Sequence, residues 1–313
     1  MTVHASAVED RMIQTRLGSL AVRLLGDGPP AILWHSLFVD ERSWRRVEDG
    51  LARERRLVVI TGPGHGRSND PGHRYSLDDC AAAAGEVLDV LDVRDPVDWV
   101  GNAWGGHVGI VFAASWPDRC RTLATFGTPI LAYGRAARLQ LRVLLAVYRI
   151  VGMVGFLSSG ICDVLLSPRT RSSDPEAVAL VLDGLRTRDR RGLANAMLSI
   201  SLGRPDLTPR LSAIRCPTVF ATGDAHAEWT PGQAEDKVRL LARGSAKAVP
   251  DTAYLTPLEA PEATIRIVQD LWARPDWSPP ALPEDQLLQR VPKVGSSSAR
   301  ESASGAPPSA MTA

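Results

Sequence analysis

Cysteine is scarce in this chain. Cys80, Cys120, Cys162 and Cys216 stand at least 40 residues apart. There is thus no C-x-x-C pair and no finger-type spacing, so buried free thiols are expected and no metal site. Net charge is nearly absent as well, at +1 over 313 residues, which argues against nucleic acid or an anionic membrane as a partner. Long apolar runs are missing. The stretch MTVHASAVEDRMIQTRLG has no apolar signal segment. The richest run, VLLAVYRIVGMVGFL (Val143–Leu157), is too short for a membrane span and holds Arg149 inside it. A cytoplasmic protein is expected, as monomer or homodimer. With 44% hydrophobic and 23% charged residues, the chain can bury a large core as one domain or as a domain with an insertion. Its many Arg, Ala, Gly and Pro residues hint at a high-GC genome.

What the sequence does hold is an alternation of short strands and helices. LAVRLLG and AILWHS read as strands around the turn DGPP, ERSWRRVEDGLAR as a helix and RLVVIT as a buried strand. SLDDCAAAAGEVLDVLD reads as a helix capped near Ser76 or Asp78. DPVDWVG is the next strand, Ala103–Trp116 a helix, and RTLATFGT a further strand. The rhythm predicts an α/β protein whose central sheet is mostly parallel and covered by helices on both faces. From about Leu131 to Asp206 only helical patterns occur, as expected for a helical lid inserted after strand six. Strands return with CPTVFATG and AKAVPD, and EATIRIVQDLWA makes a last helix. The expected division is therefore 1–130 and 207–273 for the two parts of the core, with 131–206 as the lid. Residues 274–313 form a Pro/Ser-rich tail expected to be disordered.

The segment VGNAWGG, Val100–Gly106, sits between a strand and a helix. Strand–turn–helix units of this kind carry G-x-S-x-G with a nucleophilic serine at the apex; here Ala103 stands in its place. Four further segments agree in order and spacing: His35-Ser36-Leu37 with Trp44 nine residues after the histidine, TGPGHGRS from Thr61 to Ser68, PTVFATGDA, and YLTPLEAPE with Glu259, Pro261 and Glu262. Over roughly residues 15–273 the chain resembles the α/β-hydrolase superfamily in its lidded, AB-hydrolase-1 type. The resemblance implies the α/β-hydrolase fold; it does not by itself give function.

The departures fall on the chemistry. The family's nucleophile position holds Ala103, its acid position His226 and its histidine position Tyr254. Thr61 replaces the usual Asp of the P-G-H-G loop, and Ser36 the Gly after His35. A methyl group cannot attack a carbonyl, and removing the nucleophile or base of such a triad costs on the order of 10⁶ in turnover. Asp224, Glu228 and Ser36 are nearby oxygen nucleophiles, but none stands at the apex. The oxyanion hole is built from main chain, and the resemblance places its donors on Leu37 and Trp104. Each such donor is worth on the order of 3 kcal/mol when charge develops on oxygen. Tyr254 and His226 are expected to face each other, either as a hydrogen-bonded proton relay or as inert filling of a vacated triad. His35, Ser36, Phe38, Asn102, His107 and Tyr133 are the expected substrate-binding residues; structural packing is the plainer alternative for His35 and His107.

Together these features suggest an enzyme without a serine nucleophile and without a cofactor. It would act non-covalently on a small carbonyl-containing metabolite or peptide, as an epimerase, isomerase, lyase or cyclase of secondary metabolism. Two alternatives stay open: a catalytically silent pocket for a small ligand or partner, and a hydrolase using a non-standard nucleophile.

Overall fold

The computed structural model describes residues 8–186 and 190–274. The strands are β1 (Glu9–Thr15), β2 (Gly18–Leu25), β3 (Pro30–Trp34), β4 (Arg56–Ile60), β5 (Val97–Asn102), β6 (Cys120–Phe126), β7 (Thr218–Gly223) and β8 (Gly244–Val249). They form one sheet in the order β1-β2-β4-β3-β5-β6-β7-β8. β1, β2 and β4 pair antiparallel, and every pairing from β4 across to β8 is parallel. β1 has no clear signal in the sequence because it is an edge strand that buries only Ile13 and Thr15.

The central strands are apolar on both faces, as parallel strands must be when helices cover both sides. Every residue of β3 and β5 is buried. Alternate residues serve the two layers: Ile32 and Trp34 pack with Trp99 and Phe112, whereas Ala31 and Leu33 pack with Val59 and Phe126. Helix α1 (Arg45–Ala52) covers the second layer, and α2 (Leu77–Val90) and α3 (Trp104–Ser115) the first. Ser76 caps α2 through a reciprocal capping box with Asp79.

Between β6 and β7 lie α4 (Arg135–Val151), α5 (Gly155–Leu165), α6 (Pro168–Ser173), α7 (Pro175–Arg186) and α8 (Arg190–Ala196), with no strand among the described residues. This helical insertion is tied to the core at its middle. The Leu165 carbonyl accepts from the Tyr254 and Leu255 amides, and Glu259 accepts from the amides of both Ser167 (2.7 Å) and Ala253 (2.8 Å). Arg46 of α1 reaches Asp174. The chain closes with α9 (Pro231–Val238), α10 (Thr256–Glu259) and α11 (Pro261–Trp272), the last packing beside α1 on the second layer. No helix among the described residues is long and apolar enough to cross a membrane. The expected tail lies outside the described residues apart from Arg274.

Candidate functional site

The site starts at the C-terminal ends of the parallel strands, where β5 turns into α3. Ala103 makes that turn with φ 47° and ψ −101°, a conformation that costs an L-residue on the order of 1–3 kcal/mol. Neighbouring contacts enforce it. The Ala103 amide donates to the Phe126 carbonyl (2.8 Å), and the Gly105 amide to the His35 carbonyl (3.1 Å). A side chain at Gly105 would meet the Trp34 carbonyl oxygen at 1.8 Å, and one at Gly101 would meet Gly105 at 2.3 Å. The glycines of VGNAWGG thus let α3 cross the sheet at main-chain contact. The elbow keeps its strained form with a methyl at its apex. The Trp104 indole packs against Trp34, His35 and His65, so what Trp104 brings to the elbow is its main chain, with the amide at the positive end of α3.

Behind the elbow the loop after β7 carries His226, and the loop after β8 carries Tyr254. Their rings meet at a tilt, with centroids 3.8 Å apart and planes inclined by 34°. The expected hydrogen bond between them is not formed. His226 Nδ1 accepts from the amides of Glu228 (3.1 Å) and Trp229 (3.0 Å), and burial holds the imidazole neutral, with a pKa down at about 4. The Tyr254 hydroxyl instead donates to Glu228 Oε2 at 2.6 Å, and the Tyr133 hydroxyl approaches the same oxygen at 3.2 Å. Burial, with the nearby Tyr133 and Glu228, pushes the Tyr254 phenol well above its ordinary range.

Ala103, Tyr133, Glu228 and Tyr254 line one cavity of about 290 Å³, roofed by Leu141, Leu144, Leu157, Ile161, Val164 and Leu165 of the insertion. That volume is at the lower end of small-molecule pockets, which run from about 300 to 1,000 Å³. The polar wall consists of Ser36, His107, Tyr133, Ser201, Arg204, Glu228 and Tyr254. His107 Nε2 donates to the Pro129 carbonyl at 2.7 Å, and burial together with Arg204 keeps its pKa well below the usual imidazole value. Among the described residues no group of three His, Cys, Asp or Glu is placed to hold a metal.

Of the residues singled out from the sequence, Ser36, Leu37, Phe38, Ala103, Trp104, His107, Tyr133 and Tyr254 face the cavity. Two expected substrate contacts do not. His35 is fully buried, with Nε2 accepting from the Gly62 amide (2.9 Å) and Nδ1 donating to the Ser36 carbonyl (2.7 Å). Asn102 spends its amide on two carbonyls, those of Phe126 (3.0 Å) and Tyr254 (2.7 Å). Both are built into the frame of the site. His226 lies behind Tyr254 and does not line the cavity. Glu228 was recognisable only as a nearby nucleophile, and nothing in the sequence singled out Arg204.

The geometry agrees with what the chain is similar to. Residues 31–267 match the model of the alpha/beta hydrolase family. A 2-hydroxy-6-oxo-2,4-heptadienoate hydrolase of Pseudomonas putida is 32% identical over 40% of this chain and 43% of its own length. A 2-hydroxy-6-oxononadienedioate/2-hydroxy-6-oxononatrienedioate hydrolase of Klebsiella pneumoniae is 28% identical over 64% of this chain and 69% of its own. The chain thus spans less than half of the Pseudomonas enzyme. In structure it resembles an esterase of Thermogutta terrifontis (TM-score 0.78, 24% identity, 84% of this chain and 98% of that one). It also resembles an enol-lactonase of Burkholderia xenovorans (TM-score 0.75, 22% identity, 82% and 97%). The chain belongs to the alpha/beta hydrolase family.

Proposed function

We propose that this protein is an enzyme in which all three triad positions are substituted, and that it moves a proton on a small carbonyl compound without a covalent intermediate. The observation that carries the reading is the union, in one cavity, of a strained elbow bearing only a methyl and a 2.6 Å Tyr254–Glu228 pair. A ligand carbonyl held at the Trp104 amide, with Leu37 as the second donor of the family pattern, would have its enolate stabilised by main-chain dipoles. The α-proton passes to Tyr254 Oη as the phenolic proton passes to Glu228; the C–H electrons become the enolate double bond. Return of the proton to either face, or to another carbon, completes an epimerisation or isomerisation. Burial keeps a free tyrosinate out of reach, so the two transfers must be concerted.

The test follows deuterium exchange at the α-carbon of small ketones, 2-oxo acids and thioesters in D₂O by NMR. Exchange is expected, slowed at least tenfold (about 1.4 kcal/mol) by Tyr254→Phe and by Glu228→Gln. Exchange indifferent to both substitutions would sink the reading, as would its absence with every carbonyl compound that binds; the latter result would leave a silent binding pocket. A second reading is favoured by the relatives, which are named as hydrolases: the same pair activates a water that attacks the carbonyl directly. Incorporation of ¹⁸O from labelled water into a carboxylate product, lost in Glu228→Gln, would select it.

A further inference from the structure

Four side chains that carry a charge, histidines aside, are buried among the described residues: Asp40, Glu48, Asp98 and Arg204. Three of them are paired. Asp40 meets Arg42 at 2.9 Å, Glu48 meets Arg23, and Asp98 meets Arg55 at 2.7 Å and also Arg121. Arg204, only 7% exposed, has no carboxylate within ion-pair distance among the described residues. Its guanidinium lies over the Tyr133 ring at 4.4 Å, and its Nε has no hydrogen-bond partner. Its other neighbour, His107 Nε2 at 3.3 Å, already donates to the Pro129 carbonyl and therefore offers a second N–H, not an acceptor. A buried cation surrounded by a ring face and another donor lacks the anion that its desolvation demands.

The local chain is built to put it there. Met197–Ser201 widens into a π-helical turn, closed by the Leu202 amide on the Met197 carbonyl. Gly203 follows where any side chain would strike the Ser199 carbonyl oxygen at 2.3 Å. The turn delivers Arg204 to the wall of the cavity beside Tyr133. Glu228, the other charged group on that wall, has one oxygen approached by both phenols.

We propose that Arg204, backed by Tyr133, is the subsite for a carboxylate of the ligand, whose apolar body lies against the leucine-, isoleucine- and valine-lined roof. A guanidinium offers a planar carboxylate two parallel donors, and Tyr133 holds the fork in place from behind. The substrate class is then a small carbonyl compound that is also a carboxylic acid. This rests on the cavity being the substrate pocket, but not on any proton transfer at Tyr254 and Glu228.

Affinity alone tests it, apart from turnover. Octanoate and 4-phenylbutyrate, each beside its neutral amide, are titrated into the full chain by calorimetry at pH 7.5. Each acid is expected to bind at least tenfold more tightly than its amide, with the difference abolished in Arg204→Gln and partly kept in Arg204→Lys. Amides binding as well as acids would overturn the proposal, and so would binding of neither acid. Inorganic phosphate competing as strongly as the acids would overturn it too, by showing a general anion site without an apolar requirement. Should Arg204→Gln fold poorly, the acid–amide comparison on the unaltered chain and on Tyr133→Leu, expected to weaken acids selectively, decides the matter. The proton-transfer reading can fail on Tyr254→Phe while this acid preference stands.

Discussion

The rings of His226 and Tyr254 lie 3.8 Å apart, yet their hydrogen bonds go elsewhere: the imidazole Nδ1 accepts from the amides of its own loop, and the phenol donates to Glu228. The pair is a packing contact between two differently engaged groups. What passes for a relay in the sequence is divided in the structure between a neutral strut, His226, and a charged partner, Glu228.

That division predicts a pH dependence of stability. His226 titrates near 6.5 in the unfolded chain and at about 4 in the folded one. Between these values the unfolded state binds more protons, so stability is full above pH 6.5 and is lost as the pH falls towards 4. The contribution of this one residue between pH 7 and pH 5 is about 2 kcal/mol. Buried His107, also held neutral, acts in the same direction. Urea midpoints measured at pH 7 and pH 5 should therefore fall less in His226→Gln than in the parent. An unchanged fall would show that His226 is not held neutral by the fold.

The elbow was readable from VGNAWGG because its glycines answer to main-chain clashes that any such crossing imposes, and the α2 cap, expected at Ser76 or Asp78, falls on Ser76. The neighbourhood of positions 226 and 254 followed from motif order. Their hydrogen bonds did not, because the loop after β7 curls its own amides onto His226 Nδ1, a fact of loop conformation. Asn102 looked like a substrate contact from its place beside the apex, but alternation along β5 turns it to the Phe126 and Tyr254 carbonyls. Arg204 could not be found, since its meaning depends on Tyr133, 71 positions earlier, being brought beneath its guanidinium.

Asn102 therefore carries a structural prediction. It is 2% exposed, and Asn102→Ala would leave the Tyr254 carbonyl without its side-chain donor, while the Phe126 carbonyl keeps the Ala103 amide and the Thr128 hydroxyl. At roughly 1–3 kcal/mol for that lost partner, the variant should lose about 1–3 kcal/mol by chemical denaturation. It should also release the Tyr254 main chain and thereby weaken the contact with Glu228. A change well below about 1 kcal/mol would mean that the Tyr254 carbonyl finds another donor.

Positions 103, 226 and 254, proposed above to hold substituted triad residues, are expected to behave as a unit. Ala103→Ser alone supplies an oxygen with no imidazole facing it, and should hydrolyse p-nitrophenyl acetate no more than tenfold faster than the parent. Adding Tyr254→His and His226→Asp supplies base and carboxylate at positions whose rings are already in contact. The joint variant should gain at least 10²-fold, because triad members act non-additively. A folded triple variant as silent as the single ones would show that the elbow has drifted from the geometry its backbone suggests.

Ala103 itself holds the last prediction. With φ at 47°, it is one of three non-glycine residues with positive φ among the described residues, and the strain is of order 1–3 kcal/mol. Glycine would remove that strain at the loss of one buried methyl on the cavity wall. Against this stands the extra freedom of glycine in the unfolded chain, about 0.4–1 kcal/mol. Relief of strain outweighs that entropy, so Ala103→Gly should stabilise the fold by about 1 kcal/mol, or raise the melting temperature by roughly 2–4 °C. Exchange activity should survive, because the proposed chemistry uses the Trp104 amide and the Tyr254–Glu228 pair and asks nothing of the methyl. A lower melting temperature would mean that the methyl is packed more tightly than its position on the cavity wall implies. A stable variant that loses exchange would show that the methyl positions the ligand.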